Sequence, residues 1–368
     1  MNRDPLTDLG LSDEDQEHLA RFRFDFDAFR SNREALAAGA FGPERNQLKL
    51  PVEKPPAGRV QPWPEGEDRE VLAARGRAAL EAGEVASLVL NGGMATRFGG
   101  VVKGVVEVLP GESFLALKLK DIAAAPGRTP VFLMNSFATD ADTKTHLEAH
   151  GLGSGVECLT QGISIRCTPE GEVYFGGDGR PSFYAPGHGD VFSTLSGSPG
   201  FRAFVERGGK VVMVSNVDNL AATLDPLVIG AHLSHPSPVT VEVAPKNPGD
   251  KGGAPAWVDG RVQVIEGFRF PADFDQDQIT VFNTNTMSFD VSAFENEPEL
   301  TWFRADKKVD NAPVVQFERL MGEATSRLDS HYLEVKREGP EGRFMPVKTP
   351  ADLDELRETI ATRLGRSI

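Results

Sequence analysis

The sequence predicts an α/β protein with a mostly parallel sheet that is covered by helices on both faces. From Val85 onward, short runs rich in β-branched residues alternate with helical segments, the order typical of parallel strands joined by crossover helices. Runs such as VASLVL (85–90) and VVMV (211–214) are almost wholly apolar, as expected for strands that are buried on both faces.

Before this region the chain is predicted to be first helical and then extended. Ser12 and Asp15 form a helix-capping pattern, and apolar residues at helical spacing follow as far as Arg30, which predicts one continuous helix. Residues 51–68 contain five prolines and predict a connector that wraps over the surface. A helix is predicted to resume over residues 67–82.

The remaining elements follow in order along the chain. Strands are predicted over residues 85–90, 104–109, 130–136, 156–161, 211–219 and 239–245, and helices over residues 114–124, 142–150, 225–233 and 350–364. Asp259 and Gly260 stand together between two apolar runs, which predicts a two-residue hairpin turn.

Composition argues against several classes of partner and location. Lys and Arg number 39 against 54 Asp and Glu, and the formal net charge of -15 argues against a nucleic-acid or anionic-membrane surface. No apolar run approaches the roughly 20 residues that span a bilayer, and the acidic start of the chain lacks the features of a secretory signal. Cys158 and Cys167 are interpreted as reduced thiols of a cytoplasmic protein, with a disulfide between them as the alternative.

The segment LVLNGGMATRFGGVVKG (88–104) carries a predicted strand directly into a glycine-rich loop. Such loops expose backbone N–H groups to phosphates, and Arg97 and Lys103 would add positive charge. The segment has neither the Walker pattern nor the dinucleotide pattern of glycines. The alternative is a loop whose glycines only satisfy a tight turn.

Two further segments carry polar residues at predicted loop positions. In PGHGD (186–190), the glycines leave room for a flat ligand, and His188 can donate a hydrogen bond to a sugar or phosphate oxygen. In SNVDN (215–219), Asp218 follows a buried strand, where one carboxylate can hold Mg²⁺ together with substrate phosphates and water. The alternatives are a structural turn for His188 and a cap of the next segment for Asp218.

These segments are similar to motifs of one family, the UTP–glucose-1-phosphate uridylyltransferases, also called UDP-glucose pyrophosphorylases. The glycine-rich loop, PGHGDVF (186–192), VSNVDNLAATLD (214–225) and FMPVKTPADL (344–353) each resemble a family motif. About eight such segments occur in the family's order, and an ordered series is far more specific than one motif.

The resemblance implies a Rossmann-like, mixed and mostly parallel nucleotidyltransferase fold with helices on both faces. It implies an enzyme that uses Mg²⁺ and reversibly converts UTP and glucose 1-phosphate into UDP-glucose and pyrophosphate. Residues 1–66 would be an N-terminal helical segment with its Pro-rich connector, and residues 67–368 the catalytic domain. Within that domain, a sugar-binding subregion would cover about 239–330.

The resemblance also implies a role for individual residues. The nucleotide would be held by the backbone of Leu90, Asn91, Gly92 and Gly93, and its uracil read by Gln161 and Gly187. The sugar phosphate would contact His188, Asn216, Lys246, Asn283, Asn285 and Glu318. Asp218 would ligate Mg²⁺, and the catalytic cations would be Arg97, Lys103 and Lys348, with Lys251 adding to the positive charge of the cleft.

Departures from the family pattern keep alternatives open. Ala95 and Thr96 replace the usual Gly-Thr of the family. Arg97 resembles the arginine of a motif in the related UDP-N-acetylhexosamine pyrophosphorylases. A UDP-N-acetylhexosamine pyrophosphorylase and a pyrophosphorylase with broad UDP-sugar specificity are therefore alternatives. A nucleotide-sugar glycosyltransferase and a non-catalytic sensor are less favoured. Eukaryotic members continue past the counterpart of Lys348 into a β-helix used for assembly, and without one a monomer or weak oligomer is expected.

Overall fold

The computed structural model describes residues 9–247, 250 and 252–364, and a mixed eight-stranded sheet lies at its centre. Along the chain, the strands within these residues are β1 (Val60–Gln61), β2 (Val85–Leu90), β3 (Met94–Ala95), β4 (Val101–Val102), β5 (Glu107–Leu109), β6 (Glu112–Ser113), β7 (Val131–Asn135), β8 (Val156–Thr160), β9 (Ser164–Ile165), β10 (Phe183–Tyr184), β11 (Val211–Asn216), β12 (Val239–Pro245), β13 (Ala254–Val258), β14 (Arg261–Ile265), β15 (Val281–Asp290), β16 (Phe303–Val309), β17 (Ala312–Glu318) and β18 (Ser330–Glu334). The helices are α1 (Asp13–Arg21), α2 (Phe26–Ala37), α3 (Gly66–Glu81), α4 (Phe114–Ala124), α5 (Asp140–Ala149), α6 (Val191–Ser196), α7 (Pro199–Glu206), α8 (Pro226–Leu233), α9 (Ser292–Glu295) and α10 (Pro350–Arg363).

Strand direction in the central sheet determines which loops meet. The order across the sheet is β1-β18-β12-β15-β11-β2-β7-β8. Only β15 runs antiparallel to its neighbours β11 and β12, and the other neighbouring pairs are parallel. The carboxyl ends of β2, β11 and β12 therefore lie at one edge of the sheet, which is where open α/β sheets bind ligands.

Alternate residues of the central strands enter two separate apolar cores. Ala86 and Leu88 of β2 pack in the core that α6 and α7 cover, whereas Val85 and Val89 pack on the opposite face with α3 and α4. This period of two is what an extended strand dictates. The prediction of a mostly parallel sheet with helices on both faces is confirmed.

Most of the predicted elements occur where the pattern of the sequence places them. The predicted bounds of β2, β12 and α4 agree with the structure at both ends. The predicted turn at Asp259 and Gly260 joins β13 to β14, and both residues have positive φ, of 49° and 78°. The strand predicted over 104–109 is wrong in its first half, since Lys103–Val105 forms a 3-10 turn before β5 begins. The strand predicted over 211–219 ends at Asn216.

The single N-terminal helix predicted from Ser12 to Arg30 is also wrong. The capping box of Ser12 and Asp15 begins α1 as predicted, but that helix ends at Arg21. Arg23 takes a left-handed conformation with φ of 55°, and Asp25 then caps α2. Few residues other than glycine adopt this conformation, and the chain turns sharply here before the second helix begins.

The two N-terminal helices do not stand apart from the rest of the structure. Leu19, Phe29 and Phe41 are buried in a core that also contains Ile165 of β9 and Phe317 of β17. The division of the chain at residues 66 and 67 stays a prediction.

The described residues include both cysteines and allow a search for helices that could span a membrane. Cys158 and Cys167 are both free, as the reduced-thiol interpretation expects. In the described ranges, no helix combines the length and apolar character that a bilayer crossing requires.

Candidate active site

The glycine-rich loop begins at Asn91, directly after β2. The Asn91 side chain is fully buried, and its Nδ2 donates to Asn135 Oδ1 at 2.8 Å and to Thr143 Oγ1 at 2.9 Å. A Cβ on Gly104 would lie 2.2 Å from Asn91 Oδ1, so only glycine fits there. The Asn91 side chain thus holds the loop against the sheet, and the backbone of the residues after it stays accessible.

Gly92 and Gly93 have different surroundings. A Cβ on Gly92 would lie 2.2 Å from Gln161 Nε2, whereas a Cβ on Gly93 would meet nothing within 4 Å. Gly92 therefore allows the Gln161 amide to approach the loop. Gly93 presents open backbone to the pocket that the loop borders.

Lys103 lies at the base of this pocket and has an unusual environment for an ammonium group. It is 9% exposed; its Nζ donates to the Val347 carbonyl and lies 3.7 Å from Asp218 Oδ2. The same Nζ lies 4.7 Å from the centre of the Phe98 ring, which adds a cation–π contact. Burial lowers the pKa of Lys103 and raises that of Asp218, and each charge opposes the shift of the other.

The predicted catalytic cations converge on this one place. Arg97, Lys103 and Lys348 line a cavity of about 240 Å³ together with Asp218 and the backbone of 93–96. The cavity lies at the carboxyl ends of β2 and β11, whose last residues, Leu90 and Asn216, are paired in the sheet. Three cations and one carboxylate in one cavity favour an anionic ligand with room for a bound cation.

A buried network attaches the segment that carries Lys348 to the Asp218 loop. Asn219 Nδ2 donates to the Arg343 carbonyl at 3.0 Å, and its Oδ1 accepts from the Met345 N–H at 3.0 Å. Arg343 is 1% exposed and binds both carboxylate oxygens of Glu242 on β12. These three residues were not predicted, because nothing in the local sequence shows that Arg343 is buried.

Lys118 also binds the loop after β11, and the sequence did not predict this contact. It is buried in α4, and its Nζ donates to the carbonyls of Asn219 and Ala222. Burial lowers the pKa of Lys118 to about 8. Its position inside an apolar helix gave no signal that its ammonium group meets the loop after β11.

On the other side of the glycine-rich loop, Gln161 follows β8. Gln161 is buried, and its Oε1 has no hydrogen-bond partner among the described residues. The next residue, Gly162, donates its N–H to Asp190 Oδ2 at 2.9 Å, and Asp190 Oδ1 accepts from the Arg319 guanidinium. An unpartnered buried amide oxygen costs free energy unless a ligand or water meets it, so Gln161 favours a hydrogen-bonding ligand here.

Arg319 also packs against the loop that contains Gly187. Gly187 has φ of 98°, and a Cβ there would lie 2.5 Å from the Arg319 carbonyl oxygen. Arg319 N–H donates to the Pro186 carbonyl at 2.8 Å, and Gly189 N–H donates to the Arg319 carbonyl at 2.9 Å. Gln161 and Gly187 are thus connected through Asp190 and Arg319, neither of which was predicted. We call residues 160–162 and 186–190 the base wall.

His188 is neutral, and its tautomer follows from its partner. The Met321 N–H donates to His188 Nδ1 at 3.0 Å, and burial lowers the pKa of His188 to about 4. A neutral imidazole that accepts at Nδ1 carries its proton on Nε2. His188 therefore offers one N–H donor to a ligand rather than a positive charge.

Three of the predicted sugar-phosphate residues meet at the carboxyl end of β11. Asn285 Nδ2 donates to Asn216 Oδ1 at 3.0 Å, and Asn285 N–H donates to Asn283 Oδ1 at 3.0 Å. Asn285 has φ of 60°, next to an irregularity in the pairing of β12 with β15. The left-handed conformation, which Asn tolerates better than most residues, brings these amides together.

The other predicted sugar-phosphate residues lie apart from this cluster. Lys246 Nζ, at the carboxyl end of β12, donates to the Gln276 carbonyl at 2.9 Å. Glu318 on β17 has Oε1 3.5 Å from Lys307 Nζ. The predicted Lys251 falls outside the described residues.

Solved structures with this architecture are sugar nucleotidyltransferases. A UDP-glucose phosphorylase from Trypanosoma brucei superposes with a TM-score of 0.73 at 24% identity, over 96% of this chain and 76% of that one. A UDP-N-acetylglucosamine pyrophosphorylase from the same organism gives a TM-score of 0.70 at 20% identity, over 94% and 82% of the two chains. The chain therefore shares the α/β nucleotidyltransferase fold of these proteins.

The chain belongs to the UTP–glucose-1-phosphate uridylyltransferase family, whose model matches residues 61–361. A curated relative from Solanum tuberosum is 32% identical over 286 residues, which are 72% of this chain and 59% of that protein. One from Musa acuminata is 32% identical over 291 residues, 73% of this chain and 62% of that protein. The chain thus spans about 60% of the length of these relatives. A UDP-glucose pyrophosphorylase mutant from Leishmania major, solved in complex with UDP-glucose, gives a TM-score of 0.66 at 25% identity, over 87% and 73% of the two chains.

The buried pair of Arg343 and Glu242 gives a stability prediction. Arg343→Met leaves the Glu242 carboxylate buried without its partner, so we expect the free energy of unfolding to fall by about 3–5 kcal/mol. Arg343→Met combined with Glu242→Met leaves no buried charge and is expected to lose less than the single variant. Urea unfolding followed by circular dichroism measures both, and a double variant no more stable than Arg343→Met would contradict the account.

Proposed function

We propose that this chain is a Mg²⁺-dependent uridylyltransferase that forms UDP-glucose and pyrophosphate from UTP and glucose 1-phosphate. The observation that carries the proposal is the convergence of Arg97, Lys103, Lys348 and Asp218 on one cavity at the carboxyl ends of β2 and β11. Membership of the family supports the reaction, and the unpartnered Gln161 oxygen beside the glycine-rich loop supports a ligand with a hydrogen-bonding base.

In this proposal the nucleotide lies along the glycine-rich loop. The open backbone at Gly93 faces the phosphates, and the base lies between Gly92, Gln161 and Gly187, where an amide side chain and backbone groups can read the uracil edge. Leu90 and Asn91 act through the backbone, since the Asn91 side chain is engaged inside the protein.

The sugar phosphate would lie at the end of β11. The amides of Asn216, Asn283 and Asn285 offer donors and acceptors to sugar hydroxyls, and the neutral His188 offers its Nε2–H to an oxygen. The roles of Lys246 and Glu318 in sugar-phosphate binding stay predictions, since both residues lie apart from the asparagine cluster.

A divalent cation fits the residues present at the cavity. No group of three or more His, Cys, Asp or Glu side chains that could hold a metal occurs within the described residues, so Asp218 stands as a single carboxylate. Mg²⁺ is commonly bound through one or two carboxylates, substrate phosphates and water. When bound, the ion would offset phosphate charge near Asp218.

The reaction needs positioning and charge rather than a covalent nucleophile. A phosphate oxygen of the sugar phosphate attacks the α-phosphorus of UTP in line, and the bond from that phosphorus to the β-phosphate bridging oxygen breaks to release pyrophosphate. Lys103, Lys348 and Arg97 would stabilise the negative charge that shifts to the leaving oxygens. Because no protein bond forms, the site requires no serine or cysteine nucleophile.

The proposal also includes the predicted domain bounds. They comprise a catalytic unit at 67–368 and a sugar-binding subregion at about 239–330, which would include Asn283 and Asn285 on β15. A cytoplasmic location and a monomer or weak oligomer stay predictions.

The direct test is pyrophosphate release from UTP and Mg²⁺ with glucose 1-phosphate, galactose 1-phosphate or N-acetylglucosamine 1-phosphate, with the product identified by mass. We expect turnover with glucose 1-phosphate. Turnover with N-acetylglucosamine 1-phosphate alone would replace the proposed sugar, and UDP-glucose binding without pyrophosphate release would replace the proposed reaction.

Lys348 gives a cleaner test of the cations than Lys103, because Lys348 is exposed whereas Lys103 is buried beside Asp218. For Lys348→Ala we expect kcat to fall by about 10²–10³-fold, the range for a lost charge-stabilising donor, with an unchanged free energy of unfolding. Lys210→Ala is the matched control, since this exposed lysine pairs with Glu84 at the opposite edge of the sheet. Equal turnover of Lys348→Ala and Lys210→Ala would refute the assigned role.

Gly92 tests the base pocket. The Cβ in Gly92→Ala would force the Gln161 amide away from the loop, so KM for UTP is expected to rise about tenfold, the cost of roughly one lost hydrogen bond. Gly177→Ala is the control, because a Cβ there meets nothing within 4 Å. The expectation fails if the two variants have the same KM for UTP.

A further inference from the structure

The segment before the family match reaches the base wall, and one of its side chains bonds directly to it. The family model begins at residue 61, whereas α1 and α2 lie ahead of it. We propose that Arg23, between these helices, is a positioning residue that holds Gln161 in place for recognition of the base. This inference rests on the proposed function of the site.

The contacts of Arg23 all fall on residues next to the base wall or within it. Its guanidinium donates to the Thr160 carbonyl at 2.5 Å and to Thr194 Oγ1 at 3.1 Å. A longer bond of 3.4 Å reaches the Ser193 carbonyl. Thr160 is the residue before Gln161, and Thr194 belongs to α6, which follows directly after Asp190. Arg23 thus connects the first segment of the wall to α6, the helix that continues from the second segment.

Gln161 needs such support because of where it lies in the sheet. It follows β8, which is the last strand in the sheet order and pairs with β7 alone among the strands described. An edge strand lacks a neighbour to hold its far side. The Gln161 N–H donates to the Asn135 carbonyl at 2.9 Å, on the β7 side. Arg23 supplies the bond to the residue before Gln161, and Asp190 supplies the bond to the residue after it.

The N-terminal segment does not depend on Arg23 for its own position. Leu19, Phe29 and Phe41 anchor it through the apolar core shared with Ile165 and Phe317. The backbone conformation at Arg23, with φ of 55°, directs the side chain toward Thr160 while this core holds both helices. Loss of the guanidinium should therefore loosen the wall and leave the segment packed.

Arg23→Gly is the variant that isolates the guanidinium, because glycine adopts a positive φ without strain. Arg23→Lys keeps a positive charge but cannot donate to two acceptors from one planar group. Arg30→Ala is the control, since Arg30 is exposed on α2 and contacts Asp27 and the Phe26 ring, which both belong to that helix. All three are compared with the unchanged chain in thermal unfolding, steady-state kinetics and binding of UMP and inorganic pyrophosphate.

We expect the Kd for UMP to rise about five- to tenfold in Arg23→Gly and about two- to threefold in Arg23→Lys, since one net hydrogen bond is worth roughly this factor. The Kd for pyrophosphate, which carries no base, should stay unchanged, and kcat should stay within about twofold because the wall does not touch the reacting phosphorus. Arg30→Ala should match the unchanged chain throughout.

Each alternative result has a distinct meaning. UMP affinity in Arg23→Gly equal to that of the unchanged chain would overturn the role of Arg23 alone. An equal loss of UMP and pyrophosphate affinity would overturn it too, because it would indicate a general structural role. Should Arg23→Gly unfold, Arg23→Lys decides by the same comparison. If the unchanged chain binds UMP but releases no pyrophosphate from UTP, the proposed reaction fails while the positioning role stands or falls on the UMP comparison.

Discussion

The site depends on the buried ion pair between Arg343 and Glu242. Two charges that are each about 1% exposed carry a large desolvation cost, which is offset here by a two-point bond and by further bonds from Arg343 to Thr223. The pair attaches the segment after β18 to β12 in the sheet. Through Asn219, that segment is then joined to the loop after β11. This connection, together with the burial of Val347 in an apolar core, places the Val347 carbonyl at Lys103 and the Lys348 side chain at the cavity.

A buried charged group, the Asp190 carboxylate, also holds the base wall together at the end of β8. Asp190 accepts from the Gly162 N–H and from Arg319, and the Arg319 backbone packs against Gly187 and Gly189 so closely that no side chain fits there. Two loops that are distant in sequence are therefore held together. In both halves of the site, buried charged groups help to fix the loops, and after β11 the apolar core also contributes through Val217 and Leu220.

This division explains what the sequence could and could not predict. The bounds of β2, β12 and α4 follow from local apolar patterns, so they were predictable. Ordered motifs singled out Arg97, Lys103, Lys348 and Asp218, which line one cavity, and their catalytic roles stay predictions. Arg343 and Glu242 are 101 residues apart, and nothing local shows that they meet. The helix break at Arg23 was missed for a related reason, because apolar spacing continues across it. Its contacts are with Thr160 and Thr194, more than a hundred residues away.

The charge distribution connects the composition to the site. With a net charge of -15, the surface as a whole repels polyphosphates, and an anion must find local positive charge to bind. Arg97, Lys103 and Lys348 supply it, and Lys103 does so from a partly dehydrated position where its charge is less screened. Asp218 offsets one of these charges and opposes the lowering of the Lys103 pKa that burial causes. If a cation binds Asp218, that carboxylate is shared between the ion and Lys103, and the positive charge available to a triphosphate increases. The same carboxylate thus pairs with Lys103 and is placed where a cation could bind it.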